Sequence, residues 1–245
     1  MNAPQNWPPQ PGPPGPPGFG QAPQPGYGPP QPGGYGAQPP RKKRTGLIVG
    51  LAVGAVVLIV GGVFGVMYMN YTADVGGGPG DEPTEACAIS DDLKKQAKVS
   101  SFRLAIPPDD GKSGLKHSLC MWEQTKGKDG RDTRTLGIHV YDYRVFSQKK
   151  DRNLEQAKST YASQTAFPMP GDQAKPTDGL GDEALYVVPG PKTDLTDLTL
   201  VVRQGEVVYS VQYSGHDKGF FSDSEFPLAD AEAVVRKAAE ELTKR

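Results

Sequence analysis

The chain has 245 residues, with 27 Lys+Arg against 28 Asp+Glu and a formal net charge of −1. That balance excludes a chain built around polyanion binding, since nucleic-acid binders carry a marked excess of basic residues. Two cysteines are too few for a disulfide-rich scaffold or a cysteine-cluster metal site.

The first 40 residues contain 15 Pro and 9 Gly and no charged side chain. Such a segment cannot bury enough apolar surface to offset its ordering entropy, so residues 1–45 are expected to form a disordered tail with a basic end. The Gly12–Gly18 run is only two collagen-like triplets, too short for a triple helix. Trp7, Phe19, Tyr27 and Tyr35 are the aromatic contacts that a docking role for the tail would use.

Gly46 to Met69 reads GLIVGLAVGAVVLIVGGVFGVMYM, uncharged throughout. As a helix it is about 36 Å long, enough to cross a hydrocarbon core of about 30 Å, and lipid permits no other state for a single segment. Arg41, Lys42, Lys43 and Arg44 abut it on one side, whereas Asn70 to Thr84 has no Lys or Arg and carries Asp74, Asp81 and Glu82. The positive-inside rule then predicts a cytoplasmic N-terminus and an extracellular C-terminal domain, with the lipid bilayer itself as a partner. The apolar run exceeds a signal-peptide h-region and no A-x-A pattern follows it, so an uncleaved anchor is expected.

Gly46, Gly50, Gly54, Gly61 and Gly65 fall within a 100° arc of that helix. Small-xxx-small faces let helix backbones approach closely, and this one predicts a helix–helix partner or a homodimer in the membrane. Beyond the helix, 23 basic residues face 28 acidic ones, a net of −5. That charge argues against nucleic acid and against docking of the domain as a whole onto an anionic bilayer. Residues 70–86, with Gly76-Gly77-Gly78-Pro79-Gly80, read as a flexible spacer, and 87–245 as one domain.

Cys87 and Cys120 are expected to pair as a disulfide closing a loop of about 34 residues, by compartment and parity. A metal or catalytic thiol is the competing use, and with no clustered His the metal version is a poor one. Ser90 reads as the N-cap of a short helix with Asp91 and Asp92 in its first turn, ahead of Leu93, Ala97 and Val99. Strands follow at Phe102–Ile106, at His117–Gln124 with Cys120 and Trp122 on one face, and at Thr133–Val145 with Leu136, Ile138 and Val140 on one face. Asp151–Ala166 has helical spacing, and Pro168, Pro170 and Gly171 end it. Glu183–Val188 is a strand. Leu195–Arg203 and Glu206–Tyr213 form a hairpin around Gln204-Gly205, with Arg203 opposite Glu206. Pro227 opens a last helix with the stripe Leu228, Ala231, Val234, Val235, Ala238 and Leu242. The order α-β-β-β-α-β-β-β-α predicts an α+β domain: an antiparallel sheet of about six strands flanked by three helices.

A Pro/Gly-rich tail before one apolar helix, a Cys at the start of a short helix, the Cys120-Met121-Trp122 strand and the Gly179-Leu180-Gly181-Asp182-Glu183-Ala184 turn occur here together. In this combination, residues 85–244 resemble small lipoprotein-type domains of unknown function in secreted and membrane-anchored proteins of actinobacteria, some with a PsbP-like α+β fold. The resemblance implies that fold and a place in the cell envelope, and it carries over no catalytic residue. This chain has no lipobox, so a peptide anchor would replace the lipid one.

Chemistry-bearing motifs are few. His117, His139 and His216 show no metal-ligand spacing. Ser214, His216 and Asp217 are too close in sequence to converge as a triad. No G-x-S-x-G is present. Gly111-Lys112-Ser113 lacks the first glycine of a P-loop, and Asp109-Asp110-Gly111 lacks the alternating acids of a calcium loop. No catalytic residue, metal ligand or cofactor is therefore assigned. His139, Tyr141 and Tyr143 should share one face of their strand. Uncovered, that face could hold a sugar or peptide; beneath a helix it would be the second side of a two-sided core. Three functional readings stay open: a non-catalytic module binding an extracellular ligand or protein, an envelope hydrolase acting on wall material, and a structural or assembly subunit.

Overall fold

The computed structural model describes residues 45–108, 115–144, 150–166, 171–190 and 195–245, with the backbone alone for 45–49. The tail aromatics, Arg41 to Arg44, Gly111-Lys112-Ser113, Pro168 and Pro170 lie outside the described residues. Thr45–Thr72 is one α-helix, α1, and its Gly50–Thr72 part has a mean hydropathy of 2.4 and is not buried in the fold. It is long and apolar enough to cross a membrane.

After α1 the chain runs through a 3₁₀ turn (Glu85–Cys87), α2 (Asp91–Ala97), β1 (Ser101–Ile106), β2 (Lys116–Glu123), β3 (Thr133–Asp142), α3 (Lys150–Thr165), β4 (Gln173–Pro176), β5 (Glu183–Val188), β6 (Thr196–Gln204), β7 (Val207–His216) and α4 (Leu228–Thr243). Among the described residues the strands form one seven-stranded antiparallel sheet in the order β1-β2-β3-β7-β6-β5-β4. Two meanders, β1–β3 and β4–β7, join where β3 pairs with β7.

One sheet face carries the main core. Phe102, Trp122, Leu136, Ile138, Leu200, Val211 and Tyr213 pack there with Leu93 and Ala97 of α2 and with Ala231, Val234, Val235, Ala238, Ala239 and Leu242 of α4. Cys87 and Cys120 are bonded, with Cα atoms 5.6 Å apart, and neither is exposed. The Tyr213 hydroxyl donates to the Ala97 carbonyl at 2.9 Å, and burial pushes its pKa up to about 12.

Several expectations change in detail. β4 was not anticipated, because all four of its residues are exposed and it is held by main-chain pairing with β5, leaving no apolar alternation to read. β3 ends at Asp142 rather than Val145. Cys87 lies in the 3₁₀ turn, ahead of the helix that Ser90 caps through its hydroxyl to Leu93 N. Gln204 pairs with Val207, so the hairpin loop is Gly205-Glu206 and Arg203 sits opposite Val208, not Glu206. Gly205 has φ 56°, as a type II′ hairpin requires of its first central residue. Pro227 is the N-cap of α4, and Leu228 is partly exposed instead of joining the stripe, which Ala239 joins.

The glycine-rich stretch after α1 runs along the domain. Gly77 N donates to Gln124 O at 3.1 Å, Lys126 N to Gly77 O at 3.0 Å, and Asp81 N to Phe102 O at 2.8 Å. A Cβ at Gly76 would fall 2.2 Å from Gln124 O, and one at Gly80 2.2 Å from Phe102 N, so these glycines permit close backbone approach.

Candidate functional site

The alternation of β2 and β3 sends odd-numbered residues to the face opposite the main core. Helix α3 covers that face over β6 and β7, where Ala157 packs with Tyr143, Val201 and Val208. His139, Tyr141 and Tyr143 do share this face, but unequally. Tyr143 is buried, and its hydroxyl is 2.6 Å from Thr160 Oγ1 on α3. His139 and Tyr141 remain half-buried. Tyr141 also packs against the α3 cluster, its hydroxyl 3.5 Å from Gln164 Nε2 on that helix, so the covering grades off along the strand from Tyr143 through Tyr141 to His139.

Sequence reasoning missed the third member of the group. His117 pairs with Tyr141 across β2 and β3, and their rings stack at 4.4 Å, nearly parallel. His139 lies two pairs further along, on the same face, its ring 5.5 Å from His117 and its Nδ1 3.2 Å from His117 Nε2. The three rings are within 8° of parallel, forming one imidazole–phenol plate. The signal was the register: His117 and His139 are 22 residues apart, and only the β2–β3 pairing makes them neighbours. Leu119 and Met121, also half-buried, continue the face.

Burial first, and the neighbouring His117 second, hold the His139 imidazole below its ordinary pKa, so it is neutral near pH 7. Burial raises the Tyr141 phenol, and Tyr143 adds to this. The plate is thus uncharged at His139 and Tyr141, with partly exposed ring surface and polar edges. That combination suits stacking against a sugar or peptide face with hydrogen bonds at the rim.

Elsewhere, the acidic clusters have cations. Asp182 and Glu183 take Arg203 at 2.8 and 2.7 Å, and Asp182 also accepts from Gly205 N at 2.7 Å. Asp217 binds the buried Arg134 guanidinium, which stacks over Phe226, so Ser214, His216 and Asp217 do not build a triad. His216 instead lies 3.0 Å from Asp223. A concavity of about 480 Å³ beside the β6–β7 hairpin is lined by Arg144, Lys150, Glu206 and Arg245. There Asp142 holds Arg144 at 2.8–2.9 Å, and the Glu85 carbonyl accepts from Arg245 at 2.6 Å. No group of three or more His, Cys, Asp or Glu fit to hold a metal occurs among the described residues. On α1, a Cβ at Gly50, Gly54, Gly61 or Gly65 would meet nothing within 4 Å, so this glycine face is open.

In comparison with known proteins, no family model, no curated protein and no solved structure matches this chain.

Proposed function

We propose that this chain is a membrane-anchored, non-catalytic module of the cell envelope that binds an extracellular ligand or protein through the His117–His139–Tyr141 plate. Its N-terminus is cytoplasmic, α1 spans the bilayer, and the α+β domain stands outside. The observation that carries this reading is the unequal covering of the sheet. One face is packed beneath α2 and α4, while α3 covers only part of the other and leaves the stacked rings half exposed. The disulfide fits an oxidising compartment.

Protease added to intact cells should remove the domain and spare the tail; a protected domain overturns the orientation. Ligand binding is tested with the full chain in lipid nanodiscs against arrays of soluble envelope glycans and short peptides. A ligand of the plate should bind the double variant His139→Ala, Tyr141→Ala about tenfold or more weakly, a loss of about 1.4 kcal/mol. Ligands that bind wild type and variant equally would place recognition elsewhere.

A further inference from the structure

The loop between β7 and α4 has no role in the site above. Asp217 and Ser224 close it with a two-way backbone bridge at 2.8 and 3.0 Å, and its tip is Lys218-Gly219-Phe220-Phe221-Ser222-Asp223. Phe221 is 78 % exposed, far more than the other exposed large apolar side chains of the described domain beyond α1, at 38–45 %. Two adjacent phenylalanines on a closed loop, one of them bare, are unfavourable in water unless something apolar covers them.

What stands beside them is α1. The Phe220 ring lies 6.3 Å from that of Phe64 and 5.7 Å from that of Tyr71, and Phe221 packs edge-on against Phe220 at 4.8 Å. Phe64 precedes Met69, the last residue of the apolar run, by five positions, or about 7.5 Å of helix. Phe220 therefore sits between the level of Phe64, inside the apolar run, and that of Tyr71, two residues past its end. Polar groups sit one step nearer the helix end. The Lys218 ammonium donates to Ala73 O at 3.1 Å, and the Arg131 guanidinium lies 4.0 Å over the Tyr71 ring. Apolar rings below, with tyrosine and two cations above, is the layering of a membrane–water interface, where cationic heads reach the phosphates.

We propose that the 218–223 loop is a second membrane contact. Phe220 and Phe221 insert into the acyl region of the leaflet at the C-terminal end of α1, while Arg131 and Lys218 meet lipid headgroups. The occupant of the apolar tip is the bilayer, because the tip is continuous with the helix that the same bilayer surrounds. The proposal rests on α1 spanning the membrane, but not on which side the domain faces.

The test uses nitroxide labels on the full chain, whose two native cysteines are bonded, in phosphatidylcholine vesicles. Four single variants are labelled: Phe221→Cys at the tip, Ser222→Cys beside it with both phenylalanines kept, Val57→Cys in mid-helix and Ser159→Cys on exposed α3. Collision with oxygen, relative to a water-soluble nickel complex, reports immersion in lipid. Labels at 221 or 222 should give a ratio several-fold above that at 159 and in the direction of that at 57. A ratio at 221 and 222 equal to that at 159, with 57 immersed, overturns the loop contact alone. A water-like ratio at 57 overturns the spanning helix instead. Low collision with both reagents at 221 and 222 would mean protein covers the tip and also overturns the proposal. The Ser222→Cys label keeps the question answerable if Phe221→Cys disturbs the loop.

Discussion

Replacing Cys120 by serine should lower the unfolding free energy by about 2–5 kcal/mol, the range for losing a native disulfide in a small domain. The bond spans a sequence separation of 33, and the chain-entropy model assigns a loop of that size about 3.5–4 kcal/mol. The site adds to this, because both cysteines are fully buried and the variant leaves a hydroxyl in an apolar cluster. The bond also organises the entry to the domain. Next to Cys87, Glu85 O accepts from Arg245, and Ser90 N donates to Glu241 at 2.8 Å, so the start of the domain is stitched to its last helix. Denaturant midpoints of the variant and of oxidised and reduced wild type measure the effect. Equal midpoints for all three would show that the bond contributes nothing to stability.

Gly181→Ala should cost about 2–5 kcal/mol, while Gly179→Ala two residues away should cost only about 1–2 kcal/mol. Both glycines have positive φ, 78° at Gly179 and 55° at Gly181, so both substitutions strain the backbone. They differ in space. A Cβ at Gly179 meets only the end of Arg236 at 3.7 Å, whereas one at Gly181 falls 2.4 Å from Arg203 O and 2.9 Å from Val202 Cγ1. The clash lies on the backbone of β6 and has no cheap relief. Moving the turn would pull Asp182 and Glu183 off Arg203, whose side chain is only 8 % exposed, leaving a buried cation short of partners. Thermal or denaturant unfolding of the two variants separates the causes. Equal, small losses would mean that the turn relaxes freely.

The Gly-Leu-Gly-Asp-Glu-Ala turn marks how far the sequence could be read. Its glycines indicate positive φ, but the partner that needs the close approach is Arg203, some twenty residues on, and only the β5–β6 register brings it there. Where periodicity carried the signal, the reading was close. Ser90 caps α2, Cys120 and Trp122 point inward, Leu136, Ile138 and Val140 are buried, and α4 presents its stripe. Where main-chain pairing carried it, as in the exposed β4, nothing in the side chains announced a strand. The plate was legible by half. Strand alternation grouped His139, Tyr141 and Tyr143, but neither the arrival of His117 from β2 nor the burial of Tyr143 beneath α3 has a local signature.

The backbone bridge at Gly77 has a consequence for reach. A free tether of 17 residues, the length of 70–86, would let its load wander over about 20–25 Å. Lys218 holds Ala73 O directly after α1, and the Gly77 hydrogen bonds to Gln124 and Lys126 fasten the main chain four residues further on. The sheet then works as a post rather than a kite. The strand end at Thr133 pairs with His216, near the α1 side of the domain, while Tyr141 lies eight residues further along β3, about 27 Å away. With α1 spanning a bilayer as proposed, the rings are held within a limited range of distances from it. A ligand fixed in a layer within that range is met at high effective concentration, and one outside the layer is out of range at any affinity.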